Sequence, residues 1–241
     1  MLQFTLSGKH AKNLVKALEN INQDAVFKFD RDGLSVSVSD TFRNRLLEIH
    51  LPAEFFSGYS CGDSIDLGII ISRLREVTKT LKAKDEVTGS FDAEEPNFLV
   101  LIANGIRRRV RLVNTDLLKS PPLMIYDDFI YTADLPATSI NDFLKAASTF
   151  HTVDVSVLKE SFTITSQEGE EEVSMQFQSD DVSLSLEMAD SLTTHGIMDL
   201  TKGLSTITDT ITIRGGPTIP ISFGWSWGDA SQLNCYITRW E

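Results

Sequence analysis

The chain has 241 residues, 41% of them hydrophobic, and a formal net charge of −12. That is enough apolar material for one large core or two ordinary ones, and no apolar run reaches membrane-spanning length. The acidity argues against simple adhesion to nucleic acid, yet it is uneven. Residues 1–119 carry 17 Lys and Arg against 16 Asp and Glu, whereas residues 120–241 carry 5 against 18. Such a division suits head-to-tail association of a first half with a neighbour's second half; a solvated acidic surface that keeps the protein soluble is the plainer reading.

Residues 1–6 alternate as a strand rather than forming the apolar core of a signal peptide. Alternation predicts strands over 2–7, 25–30, 34–39, 45–51 and 64–67, with a helix over 9–21 after the first of them. A second helix is predicted over 72–81, then strands over 86–92, 98–103 and 106–113. Residues 114–129 contain Ser120-Pro121-Pro122 and Asp127-Asp128, which resist regular structure and mark a linker. Beyond it, strands are predicted over 130–135, 153–158, 162–167, 173–178, 182–188, 210–214, 219–224 and 233–238, and helices over 139–148 and 197–204. Cys61 and Cys235 lie in opposite halves without metal-ligand spacing, which fits inert thiols in a reducing compartment.

The two halves repeat one order of elements. Residues 25–36 match 153–164 as hairpins, and residues 74–81 match 197–204, each running into a strand. The expected fold is α+β: two similar domains of antiparallel sheets with two helices each on one face, at 1–113 and 130–241, joined by a connector at 114–129.

Each predicted helix sets cations against its apolar stripe. In the first, Ala11, Leu14, Val15 and Leu18 face one way, and Lys9, Lys12 and Lys16 another, with Asn13 and Asn20 beside them. In the second, Leu74, Val77 and Leu81 oppose Arg75, Lys79 and Lys82. In the third, Ile140, Phe143, Leu144 and Ala147 oppose Lys145, and in the fourth, Ile197, Leu200 and Leu204 oppose Lys202. One lysine-rich face means little; four suggest a shared basic surface that reads phosphates without regard to base sequence. No base-reading helix or zinc-finger spacing accompanies it. His10, His50, His151 and His195 are scattered, and no phosphate-cradling loop or nucleophile elbow occurs. An enzyme, a metal site and a cofactor are therefore not expected. A β-rich hydrolase assembled from distant residues is the competing class.

With these features in place, the chain resembles the sliding clamps of the proliferating cell nuclear antigen type. The resemblance is carried by Gly33-Leu34-Ser35-Val36-Ser37-Val38-Ser39-Asp40 with the following 45–51, by the helix at 9–21, by Arg109-Val110-Arg111-Leu112-Val113 before the connector, and by Pro220-Ile221-Ser222-Phe223 with 233–237 near the end. It implies a ring of three two-domain subunits, homotrimeric or heterotrimeric, with helices lining a hole that duplex DNA occupies. It implies DNA-facing positions at Lys9, Lys12, Lys16, Lys79, Lys82, Arg111, Lys145, His195 and Lys202, His195 on the resemblance alone. It implies a subunit joint between edge strands, with Arg107 and Arg109 on one side and Glu172, Val173, Met175 and Phe177 on the other. It further implies a partner-peptide pocket at Phe42, Arg43, Leu118, Pro121, Leu123, Pro220, Tyr236 and Thr238, for a polymerase, nuclease, ligase or clamp loader. Thr238-Arg239 stands where the family carries Ala-Pro, a departure that would suit a specialised subunit of a heterotrimer. The implied function is a processivity factor inside the cell, in the cytoplasm or nucleoid of an archaeon or the nucleus of a eukaryote; a checkpoint-type clamp paralogue is the alternative.

Overall fold

The computed structural model describes residues 1–118, 121, 126, 128–178, 182–186, 189–195, 208–226 and 231–238, without the side chain of His195. The predicted helix at 197–204, Lys202 and Leu123 lie outside the described residues. The chain divides into two compact units: Met1–Thr41 with Leu47–Leu123 and Gly228–Leu233, and Phe42–Leu46 with Met124–Trp227 and Asn234–Glu241.

In the first unit the order is β1 (Leu2–Ser7), α1 (Gly8–Glu19), β2 (Asp24–Phe29), β3 (Gly33–Ser39), β4 (Arg45–Pro52), β5 (Gly58–Cys61), β6 (Ile65–Ile70), α2 (Ile71–Thr78), β7 (Glu86–Phe91), β8 (Phe98–Ala103) and β9 (Ile106–Arg111). Its strands pair in the orders β5-β1-β7-β8-β9 and β4-β3-β2-β6. The second unit holds β10 (Tyr131–Pro136), α3 (Ala137–Ala146), β11 (Thr152–Leu158), β12 (Ser161–Glu168), β13 (Glu171–Gln178), β14 (Ser183–Leu186), β15 (Asp190–His195), β16 (Thr210–Gly216), β17 (Ile219–Ser226) and β18 (Gln232–Ile237). Here the orders are β14-β10-β16-β17-β18 and β13-β12-β11-β15. Each strand of the first unit thus has a counterpart nine strands later, with the same neighbours. The sequence repeat is a repeat of topology.

Every predicted strand is present, with ends shifted by a few residues. Two strands had no sequence signal, β5 and β15. Both lie at the end of a strand order. An edge strand is half-exposed and has no need of an apolar alternation; β5 reads Gly-Tyr-Ser-Cys with no buried residue.

The apolar stripes face inward as read. In the first unit Leu14 and Val15 of α1 and Leu74 and Val77 of α2 pack with Phe4, Phe29, Leu99 and Leu101 from the strands. Phe4 stacks on Phe29 at 5.3 Å. Two details recur in both units. The first amide of α1, Gly8, donates to the Asp85 carbonyl at 2.6 Å, and the first amide of α3, Ala137, donates to the Asp209 carbonyl at 2.8 Å. An aromatic ring also crosses a glycine on the paired strand: Phe4 opposite Gly89 and Tyr131 opposite Gly215. A Cβ at Gly89 would lie 2.1 Å from the Phe4 ring, and one at Gly215 would lie 2.2 Å from the Tyr131 hydroxyl.

These glycines make room for a ring rather than for a turn. Gly89→Ala and Gly215→Ala should each destabilise the protein by about 1–3 kcal/mol in chemical denaturation, because a well-packed core resists an added methyl. A loss below about 0.5 kcal/mol, within the range of a neutral surface change, would show the rings free to move aside.

Candidate nucleic-acid interface

In the first unit the chain builds its cationic surface from three elements. The Ser7 hydroxyl caps α1 by accepting the His10 amide at 3.2 Å. The Gly8 and Lys9 amides bond the carbonyls of Asp85 and Ala83, which docks the segment after α2 on the start of α1. Only glycine fits at position 8, because a Cβ there would sit 2.2 Å from the Lys82 carbonyl oxygen. Lys82 is thereby held beside α1. The Asp85 carboxylate accepts the Lys82 amide at 2.7 Å and the Asn104 side-chain amide at 2.8 Å. Those two bonds, then the charges of Lys82 and Lys12, hold its pKa below the usual carboxylate value. Asn104 can reach because Asn104-Gly105, at φ 51° and 75°, makes the tight turn between β8 and β9.

Side chains then tie the elements together. Arg75 of α2 pairs with Glu19 of α1 at 2.7 Å. Arg73 of α2 donates to the Arg111 carbonyl at the end of β9. Lys79 pairs with Glu76 on its own helix, which lowers the Glu76 pKa, with smaller contributions from Arg108 of β9 and from Arg75. Lys9, Lys16, Lys79 and Lys82 are exposed and Lys12 is half-buried. Among the described residues none of Lys9, Lys12 and Lys16 has a carboxylate in ion-pair contact.

Two sequence expectations change here. Asn13, read as lying beside the lysines, is only 7% exposed, and its amide nitrogen has no hydrogen-bond partner. The buried arc of α1 extends past Ala17 to reach it. Arg111, read as DNA-facing, lies on the side of its strand away from the helices. Leu99 and Leu101 are buried opposite Val110 and Arg108, whereas Arg107, Arg109 and Arg111 pair with Ile102, Val100 and Phe98 on the other side. Arg108 is the arginine that shares the side of the helices. Sequence reading missed both Arg73 and Arg108. The signal for Arg108 was available: Val110, the apolar residue two positions on, marks the inward side.

The second unit differs. On α3, Ile140, Phe143 and Leu144 are buried and Lys145 is exposed, as predicted, but Lys145 pairs with Asp142 one turn back at 2.9 Å. Of His195 only the backbone, at the end of β15, is described.

The strands expected at a subunit joint are both edges. β9 ends the order β5-β1-β7-β8-β9, and β13 ends β13-β12-β11-β15. Arg107 is exposed. Arg109 is already engaged, 3.1 Å from Glu95 and 4.1 Å above the Phe98 ring. Glu171 and Glu172 are exposed on β13, after a turn at Gly169 with φ 63°. Val173 and Met175 are half-buried. Phe177 is 8% exposed and belongs to the core of its own unit, opposite the buried Phe162. It offers no free side chain at the edge, because it alternates inward with Met175 and Val173.

The expected peptide pocket has residues in each unit. In the second, Phe42 is 82% exposed and precedes Arg43 in the left-handed region at φ 58°. The Asn44 carbonyl accepts the Thr238 amide at 2.9 Å, which holds this turn to the strand carrying Tyr236. Tyr236 is half-buried with its ring 5.3 Å from that of Tyr126, and Pro220 is half-buried on β17. In the first unit Leu118 and Pro121 are half-buried. The segment before Leu118 crosses β6 through the Val113 amide and the Gly68 carbonyl at 2.9 Å, a close approach that leaves no space for a Cβ at Gly68.

Among the described residues no group of three or more His, Cys, Asp and Glu could hold a metal, and neither Cys61 nor Cys235 is in a disulfide. The His50 ring meets the Ser35 hydroxyl at 3.2 Å, and His10 stacks on Phe55 at 4.6 Å. No described helix is long and apolar enough to cross a membrane.

Residues 1–120 match the family model of the proliferating cell nuclear antigen N-terminal domain. The chain is also similar to proteins named DNA polymerase sliding clamp. It is 24% identical to that of Pyrococcus abyssi and 25% identical to that of Pyrococcus furiosus, in each case over 93% of this chain and 92% of the relative. It is 25% identical to DNA polymerase sliding clamp 1 of Sulfurisphaera tokodaii, over 72% of this chain and 70% of the relative.

Burial, and secondly the charge of Lys9, lower the pKa of His10 below its ordinary 6.5. The fold therefore favours the neutral ring. The stability this contributes is complete above pH 6.5 and is lost as pH falls from there through the folded value. In an NMR titration His10 should show a midpoint below 6.5, and His10→Phe, which keeps a ring against Phe55, should flatten that part of the stability profile. A midpoint at or above 6.5 would remove the effect.

Proposed function

We infer, from the premise that this chain belongs to the proliferating cell nuclear antigen family, that it is a DNA sliding clamp and polymerase processivity factor. The observation that carries this reading is the gathering of cations into one exposed belt over α1 and α2 in a protein whose net charge is −12. Lys9, Lys12, Lys16, Lys79 and Lys82 meet the phosphate backbone, which they contact without reading bases. Each exposed ion pair contributes at most about 1 kcal/mol, so the belt alone would hold DNA weakly. Enclosure supplies the retention: a closed ring around the duplex cannot dissociate sideways, while weak contacts allow it to slide.

The ring is made of three copies, or of this chain with related subunits. Its joints form where β9 of one subunit adds to β13 of the next, an edge-to-edge pairing that completes both sheets. Arg107 on β9 and Glu171 and Glu172 on β13 carry opposite charges that favour this pairing over two like edges. The two clamp domains are 1–113 and 130–241, and residues 114–129 connect them. Phe42, Pro220 and Tyr236 of the second unit belong to a docking surface for short aromatic-anchored peptides of replication and repair proteins. The protein acts inside the cell as a scaffold without turnover of its own.

Assembly mass and DNA topology test this reading together. The purified chain, alone or with a related subunit, should have the mass of three subunits. Once assembled on DNA it should stay on nicked circular duplex and leave linear duplex by the ends. A chain that remains monomeric, or that is lost equally from both DNAs, would not be a clamp. At the joint, Arg107→Glu should weaken assembly about 5-fold or more, an effect of the size of a rim charge pair, and Glu172→Arg should restore it in part.

A further inference from the structure

Resting on the sliding-clamp reading, we propose that the grip on duplex DNA comes from the first unit alone, along a belt from α1 across α2 to Arg108 of β9, and that α3 of the second unit adds none. The fold is duplicated but the charge is not. On α1, three lysines face one carboxylate, Glu19, and that carboxylate is engaged by Arg75. Across α2 and the turn after it, Arg73, Arg75, Lys79, Lys82 and Lys84 stand against Glu76 and Asp85. Arg73 joins α2 to β9 through the Arg111 carbonyl, and Arg108 approaches Glu76, whose carboxylate is already paired with Lys79. The three elements therefore form one continuous surface with a surplus of positive charge.

On α3 there is no surplus. Lys145 and Asp142 are its charged residues, and they pair at 2.9 Å. A phosphate approaching Lys145 meets a carboxylate within one helical turn, well inside the screening length of about 8 Å at physiological salt, so attraction and repulsion cancel. In the segment 196–207 the sequence again sets one cation, Lys202, against one anion, Asp199. Around these two segments the second half of the chain is strongly acidic in sequence.

Counterion release separates the contributions. The full-length protein is titrated into a short fluorescent duplex at a series of low salt concentrations, and the slope of log K against log salt is read. The double variant Lys12→Ala, Lys16→Ala should lower the magnitude of the slope by about 0.9 for each phosphate contact removed, and Arg108→Ala by about the same per contact. Lys12→Arg with Lys16→Arg should keep the wild-type slope. Lys145→Ala with Lys202→Ala should leave it unchanged. A second-unit variant that loses as much slope as the α1 variant overturns the proposal, and an unchanged slope in Arg108→Ala overturns the extension onto β9. If the α1 variant loses assembly mass instead of slope, its lysines serve subunit contact and the proposal fails. Retention on nicked circular duplex is measured alongside. Wild-type protein that stays on the circle while its slope ignores the α1 lysines overturns this proposal and leaves the clamp intact; wild-type protein lost from the circle overturns both.

Discussion

Burial of the apolar stripes of α1 and α2 against the strands of the first unit decides how those helices are turned. Fully burying a leucine or valine stabilises by about 1.5–3 kcal/mol, and Leu14, Val15, Leu18, Leu74 and Val77 are all inside. A surface ion pair contributes about 1 kcal/mol at most. The rotation of each helix is therefore set by its apolar side, and Lys9, Lys16 and Lys79 are on the open side as a consequence. The Arg75–Glu19 pair and the Gly8–Asp85 contact then fix the spacing between elements whose orientation the core has already chosen.

The same strand order appears twice, yet the two copies carry different surfaces. Features that serve the fold are kept in both: the ring over a glycine, and the helix start bonded to the carbonyl of an aspartate. Features that serve the surface diverge. The first unit carries unpaired lysines and an arginine-rich edge on β9, and the second carries a neutralised helix and a glutamate-rich edge on β13. A duplicated core tolerates this because exposed positions contribute little to packing. Each unit also has a strand at the end of its order, with hydrogen-bonding groups on its outer side. The two edges carry opposite charge, arginine on β9 and glutamate on β13.

Much of this was legible along the chain because a helical or strand period shows directly which residues must be inside. The stripes Ala11-Leu14-Val15-Leu18 and Ile140-Phe143-Leu144-Ala147 are buried as read, and the hairpins at 25–36 and 153–164 are where alternation put them. β5 and β15 escaped because an edge strand needs no apolar alternation. Asn13 escaped because the buried arc of α1 is wider than its apolar residues alone.

What the sequence determined by itself was the repeated order of elements, the apolar faces and the uneven charge, since these follow from local periodicity and composition. Only the tertiary structure decided the neighbours of each charge. It put Arg108 rather than Arg111 beside the helices, gave Lys145 to Asp142 and Arg109 to Glu95, and drew Phe177 into its own core. The physical reason is that a charge acts through what lies within a few ångströms of it, and residues that close are brought together by strand pairing and helix docking.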